Sequence, residues 1–286
     1  LGEAALRRSD VVSAPADAPA PSGLAPSTPG PETVRRVRRM MLATAVMKTG
    51  METVTLSIPL LVLQTLGGAT MVAGLVVAYG LAQAAFGAGV EGLTRKWSAR
   101  RILAGAVAAQ ALLVTSVVGL GALGLLTPAT LFPLYLLIGG AVGVIETTRR
   151  VIPPLLLGRD DAVLAKYNAR LHIFYEVAGV AGALAAGALI AFGGPLWSLL
   201  LQPPAYLLAA WLFFGVKHAK PEPDPADAKR GGVLAKVTGY LRDVKDGARI
   251  VLGDVKLRWV ALAFVLPQIV HRVFEGLLIP VFAKKV

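Results

Sequence analysis

Ionisable side chains interrupt two long apolar stretches of this chain. Lys48 and Glu52 lie four residues apart in the first stretch, and His271 and Glu275 lie four apart in the last, with Arg272 between them. Residues four apart share one face of a helix. An ionisable group in an apolar span costs at least about 2.5–3.5 kcal/mol on insertion scales, which makes a functional role the first hypothesis. We therefore predict a substrate or proton pathway at Lys48, Glu52, His271, Arg272 and Glu275; static ion pairs are the alternative.

A second set of charged residues lies near the ends of other apolar stretches. Glu146 and Arg149 are three residues apart, and His172 and Glu176 are four apart, so each pair shares a helix face. We predict a cytoplasmic gate or charge network formed by Glu91, Arg95, Lys96, Arg100, Arg101, Glu146, Arg149, Arg150, His172 and Glu176. Because long side chains near a membrane boundary can reach water, ordinary interfacial residues remain the alternative.

The sequence contains no pattern typical of a metal site or an enzyme. Cysteine is absent, and the three histidines fall in separate segments. No phosphate-binding glycine loop and no nucleophile motif is found. We therefore expect no cofactor, no bound metal and no enzymatic activity.

The composition indicates which elements must position these charges. Hydrophobic residues make up 55% of the 286 residues, and charged residues only 16%, against about 25% in soluble proteins. Such a chain has too few polar side chains to cover a soluble fold, which excludes a soluble enzyme and a disordered protein. An all-α membrane protein is predicted, because a spanning helix needs about 20 apolar residues. The predicted spans are 40–66, 70–92, 102–126, 129–148, 171–193, 196–216 and 258–283.

The distribution of basic residues predicts the orientation of these spans. Of the 29 lysines and arginines, 25 lie in the N-terminal segment and in the segments that follow the second, fourth and sixth spans. The three opposite loops contain none. Basic loops stay in the cytoplasm, so we expect a multi-pass protein of the cell membrane with a cytoplasmic N-terminus. The net charge of +12 is then explained by topology, and nucleic-acid binding is not expected.

Four segments follow from these patterns. Residues 1–39 are predicted to be a disordered, basic cytoplasmic tail, because they are rich in Ala, Pro and Ser. A bundle of six transmembrane helices follows at 40–216. A cytoplasmic linker at 217–257 begins with a proline-rich stretch and continues with apolar residues at helical spacing, which predicts an amphipathic helix. Residues 258–286 form the seventh span.

The first and seventh spans have similar patterns. Each places a basic residue four positions before a glutamate, and each continues with an Ile-Pro pair, Ile58-Pro59 in one and Ile279-Pro280 in the other. Six spans, a long loop and a span similar to the first indicate that a second half begins at the seventh. The loop after the second span is basic, Gly92-Leu93-Thr94-Arg95-Lys96-Trp97-Ser98-Ala99-Arg100-Arg101, and the fifth span is glycine-rich over Gly179–Gly187.

With these features, residues 34–286 resemble the major facilitator superfamily, and in particular its branch of drug and siderophore exporters. The basic loop is similar to the Gly-x-x-x-Asp-Arg-x-Gly-Arg-Arg pattern of that superfamily, with Thr94 or Arg95 at the aspartate position and Ser98 at the second glycine. In the fifth span, Gly182-Ala183 takes the place of the Gly-Pro pair of those exporters.

The resemblance implies a six-helix N-terminal transporter bundle plus the first helix of a second half, seven transmembrane helices in all. It implies a C-terminally truncated chain, with five more spans expected after Val286. The implied function is secondary active export of a small organic molecule by alternating access, with protons as the coupling ion. The expected partners are the lipid bilayer, the small-molecule substrate and protons. Two alternatives stay open: a membrane permease subunit, or a non-transporting membrane scaffold, either one dependent on partner proteins.

The predicted orientation can be tested with single cysteines, because the natural chain has none. We expect a membrane-impermeant maleimide to label the Ala129→Cys variant in intact cells. The Ala226→Cys variant should react only after the cells are permeabilised, since residue 226 belongs to the predicted cytoplasmic linker. Labelling in the opposite order would overturn the orientation.

Overall fold

The computed structural model describes residues 30–66, 68–94, 97–158, 160–216, 249, 253–260 and 262–263. Almost all of residues 30–216 is helical, and no strand occurs among the described residues. The helices are α1 Pro31–Thr65, α2 Ala69–Ala88, α3 Val90–Thr94, α4 Ala99–Ala122, α5 Pro128–Leu157, α6 Asp161–Gly193, α7 Pro195–Leu199 and α8 Gln202–Phe214.

Six helices are long and apolar enough to cross a membrane. They are α1, α2, α4, α5, α6 and the nearly continuous pair α7–α8, and we number them spans 1 to 6 in that order. This confirms, for the described residues, an all-α multi-pass membrane protein. The seventh predicted span lies largely outside the described residues, as does the linker at 217–257.

Several helices extend past the boundaries predicted from charge. α1 begins at Pro31, so residues 31–39, which we predicted as part of a disordered tail, are helical. Proline suits the first position of a helix, and Arg36 forms an ion pair with Glu32 one turn earlier. α5 continues to Leu157, well past its predicted end at 148, because charged residues end an apolar stretch without ending a helix.

The connection between α5 and α6 is short and has defined caps. Gly158 follows α5 with φ +80°, a conformation that favours glycine. The Asp160 carboxylate then accepts hydrogen bonds from the backbone N–H groups of Ala162 and Val163, at 2.9 and 3.2 Å. Such a cap satisfies N–H groups that a helix start leaves without partners. The chain therefore reverses within a few residues and starts α6 at a fixed position.

The extensive contacts between spans follow a symmetric pattern. Span 1 packs on spans 5 and 6, span 4 packs on spans 2 and 3, and span 3 packs on span 6. If spans 1, 2 and 3 are exchanged with spans 4, 5 and 6, this set of contacts is reproduced. Two buried apolar clusters fill the bundle, one around Met47, Leu103 and Tyr206, and the other around Ile58, Val114 and Ile138.

Glycines allow two of these helix pairs to approach backbone to backbone. In the contact between α2 and α5, a Cβ added to Gly143 would lie 2.1 Å from the carbonyl oxygen of Gln83. In the contact between α1 and α6, a Cβ on Gly182 would lie 2.6 Å from the carbonyl oxygen of Thr49. Small residues are the usual means of close helix packing in membranes. These two pairs are also the ones that exchange in the symmetric pattern.

The close approach at Gly143 predicts a specific sensitivity. Gly143→Ala should destabilise the protein by about 1–3 kcal/mol, because the new methyl group meets backbone that cannot move aside alone. The matched control is Gly105→Ala in α4, where an added Cβ meets no atom within 4 Å. That variant should be neutral or slightly stabilising, because alanine favours helix more than glycine does. Thermal unfolding in detergent measures both, and equal effects would contradict the packing described.

Candidate functional site

An ion pair lies within span 1. The Lys48 ammonium pairs with the Glu52 carboxylate one turn along α1, as their spacing predicted. The two side chains are only 16% and 15% exposed. Each charge therefore has its partner on the same helix and is largely shielded from the surroundings, as an ionisable pair in an apolar span requires.

A second ion pair lies within span 4. The Arg149 guanidinium donates from Nη2 to Oε2 of Glu146 at 2.7 Å. These side chains are 14% and 20% exposed, so they are shielded as well as the pair in α1. Our sequence interpretation left open that Glu146 and Arg149 are ordinary interfacial residues. Their burial against α6 places them inside the protein instead.

One tyrosine of α6 contacts the cations of both pairs. The Tyr175 ring centroid lies 4.6 Å from the Lys48 Nζ and 5.1 Å from the Arg149 Cζ. Both distances fall within the range of cation–π attraction. We call Lys48, Glu52, Glu146, Arg149 and Tyr175 the tyrosine cluster. It joins three helices, and with both pairs ionised its net charge is zero.

Close packing of α6 on α1 sets the position of Tyr175. Gly179 and Gly182 follow it by one and two turns, and both face α1, where an added Cβ would crowd Lys48 or the Thr49 backbone. The Thr49 hydroxyl also donates to the Ala178 carbonyl oxygen at 3.3 Å. The Tyr175 hydroxyl in turn lies 4.0 Å from the Met51 sulfur. The aromatic ring therefore reaches the Lys48 ammonium because these glycines remove the steric barrier between the helices.

The tyrosine cluster can exchange charge with a ligand or a proton. Glu52 and Glu146 are two carboxylates that can accept a proton, and each neutralises a cation that also rests on an aromatic ring. Removing either charge leaves its partner buried and uncompensated, which costs several kcal/mol in a poorly solvated site. Binding of a charged group or of a proton here therefore changes the stability of the contacts among three helices.

The predicted pathway and gate residues meet at this cluster. Lys48 and Glu52, predicted as pathway residues, contact the same ring as Arg149, which was predicted as a gate residue with Glu146. The sequence interpretation missed Tyr175. Its signal was present, since a tyrosine between His172 and Glu176 on an apolar helix carries a ring that attracts cations.

The other predicted gate residues lie apart from the cluster. His172 Nδ1 and Glu176 Oε1 are 3.6 Å apart, but these side chains are 75% and 61% exposed. Arg100 lies over the Phe214 ring at 5.2 Å, in the contact between α4 and α8. Arg101 and Arg150 are exposed.

Several predicted residues fall outside the description. They are the Glu91 side chain, Arg95, Lys96, His271, Arg272 and Glu275. The expectation that Glu52 faces His271, Arg272 and Glu275 across a central cavity therefore stays a prediction. Within the described ranges, no group of three or more potential ligands is arranged to hold a metal ion.

Comparison with known proteins identifies no relative. No protein-family model, no curated protein and no solved structure matches this chain. The function must therefore be argued from the geometry of the helices and of the tyrosine cluster.

The role of the aromatic ring predicts different effects for two substitutions. Tyr175→Leu should destabilise the protein by about 1–4 kcal/mol, because two cation–π contacts worth about 0.5–2 kcal/mol each are lost. Tyr175→Phe keeps the ring and should cost less than about 1 kcal/mol, since only the weak contact to sulfur disappears. Thermal unfolding in detergent compares them. Equal losses in the two variants would show that the ring does not hold the cations.

Proposed function

We propose that this chain is the N-terminal part of a secondary active transporter of the major facilitator type, which exports a small organic molecule by alternating access. The observation that carries the proposal is the symmetric pairing of the six spans. Transporters of this type contain two three-helix repeats of inverted topology within each six-helix half. Consecutive spans alternate in direction, so a three-span unit followed by a second such unit is inverted in the same sense.

The location of the buried charges supports the same proposal. The two ion pairs lie on spans 1 and 4, which are the helices that exchange in the symmetric pattern. In transporters built from repeats, substrate and coupling ions bind near the middle of the membrane between the repeats. The tyrosine cluster supplies carboxylates, cations and an aromatic face where such a site would lie. We infer that Glu52 carries the coupling proton, because its charge is balanced by Lys48 and changes on protonation.

The proposal includes location and orientation. The one-sided distribution of lysine and arginine favours the cell membrane with the N-terminus in the cytoplasm. The resemblance of the first and seventh spans favours a protein that continues with a second half. The complete reading frame should therefore encode about five spans beyond Val286. A stop codon directly after Val286 would favour a permease subunit or a scaffold instead.

Transport by the complete protein provides the functional test. We expect proteoliposomes without ATP to move at least one member of a panel of cationic, anionic and neutral fluorescent dyes when a pH gradient is imposed. Glu52→Gln should abolish the dependence on the gradient, because glutamine cannot bind or release the proton. Dye movement that appears only with ATP and a partner protein would contradict secondary transport.

A double variant separates a pathway role from a structural one. Glu52→Gln alone leaves the Lys48 ammonium without its partner and should lower the thermal stability. Adding Lys48→Met removes that charge, so stability should recover. If Glu52 carries the proton, gradient-driven transport stays absent in the double variant. Recovery of transport together with stability would show that the pair has only a structural role.

A further inference from the structure

A cavity of about 400 Å³ lies between the last turns of α5 and the first turns of α6. Three of its lining residues are polar, namely Arg149, Arg150 and Asn168, and no carboxylate lines it. Arg149 also belongs to the tyrosine cluster, so the cavity adjoins that site. The question is which ligand its chemistry would accept.

The polar wall has donors that lack acceptors. Arg149 Nη2 donates to Glu146, but its Nε is buried with no hydrogen-bond partner. Arg150 is exposed, and within residues 30–216 as described no carboxylate pairs with it. A guanidinium binds phosphate well, because its planar donors match the phosphate oxygens. The Asn168 amide adds a further donor group. This wall therefore favours an anion, and a phosphate in particular.

The opposite part of the lining is apolar. Pro153, Pro154, Leu164 and Leu171 form it, and no charged group interrupts them. A small inorganic anion would gain nothing from such a surface. An amphipathic ligand gains from both walls, because apolar area removed from water contributes about 25 cal/mol per Å². The lining thus fits a molecule with a phosphate and an attached hydrocarbon chain.

The depth of the cavity in the membrane indicates the source of that ligand. In α5, residues 128–145 contain no ionisable side chain. This stretch is about 27 Å long at 1.5 Å per residue, close to the roughly 30 Å of a bilayer core. Arg149 and Arg150 follow directly, so their guanidinium groups lie at the level of the lipid headgroups. Basic pockets between transmembrane helices at this level are suited to anionic lipids.

We propose that this cavity binds the headgroup of an anionic phospholipid. Its phosphate lies against Arg149 and Arg150, and the glycerol and first methylene groups of its chains lie against Pro153, Leu164 and Leu171. The inference does not depend on the proposed transport function, because it follows from the lining and the depth of the cavity alone.

Binding can be measured on the full chain in an uncharged detergent. The probes are dioctanoyl phosphatidylglycerol, dioctanoyl phosphatidylcholine and inorganic phosphate, each titrated while thermal stability is recorded. We expect the phosphatidylglycerol to stabilise the protein at concentrations where the other two do not. Arg150→Gln should weaken its apparent affinity about fivefold to tenfold. The control is Arg170→Gln, which removes the same charge from an exposed position on α6 outside the cavity lining.

A second variant tests the apolar wall without a change of charge. Leu164→Trp should fill part of the cavity and weaken phosphatidylglycerol binding while Arg150 remains intact. Three outcomes would overturn the proposal. Equal stabilisation by phosphatidylcholine would remove the role of the anion, and an equal effect of Arg170→Gln would indicate general surface attraction. Stabilisation by inorganic phosphate that matches the lipid would assign the cavity to a small soluble anion.

Discussion

The lack of water inside a bilayer is the constraint on which the rest of this structure depends. A charge on a membrane-spanning helix must find its partner within the protein. Lys48 and Glu146 meet this requirement locally, each with a partner one turn away on its own helix. The Tyr175 ring then stabilises both cations at once. The polar groups thus become a contact among α1, α5 and α6, and the arrangement of these helices is coupled to the state of their charges.

Sequence spacing predicts the local part of this arrangement and not the global part. The four-residue spacing of Lys48 and Glu52 correctly placed an ion pair, because helix geometry alone decides it. The meeting of this pair with Arg149, a hundred residues later, depends on how α6 packs on α1. That packing is decided by Gly179 and Gly182, whose sequence signal indicates close approach without naming the partner helix.

The glycine contacts also explain how the six spans can act as two units. Backbone approach at Gly143 and at Gly182 joins span 4 to span 2, and span 1 to span 5. Each of these contacts therefore joins a helix of one three-span unit to a helix of the other. Interdigitated units of this kind move as one rigid body, since sliding either pair would force backbone atoms into contact. In the proposed mechanism this bundle rocks as a whole against the second half, and the tyrosine cluster moves with it.

Arg149 links the tyrosine cluster to the cavity beside it. Its Nη2 is engaged by Glu146, and its buried Nε is not engaged. A phosphate in the cavity would bring a second negative charge to the same guanidinium. Two anions that share one cation weaken each other's hold on it, so the bound phosphate would favour protonation of Glu146 or its release from Arg149. The lipid composition around α5 and α6 would then bias the charge state of the tyrosine cluster through a single side chain.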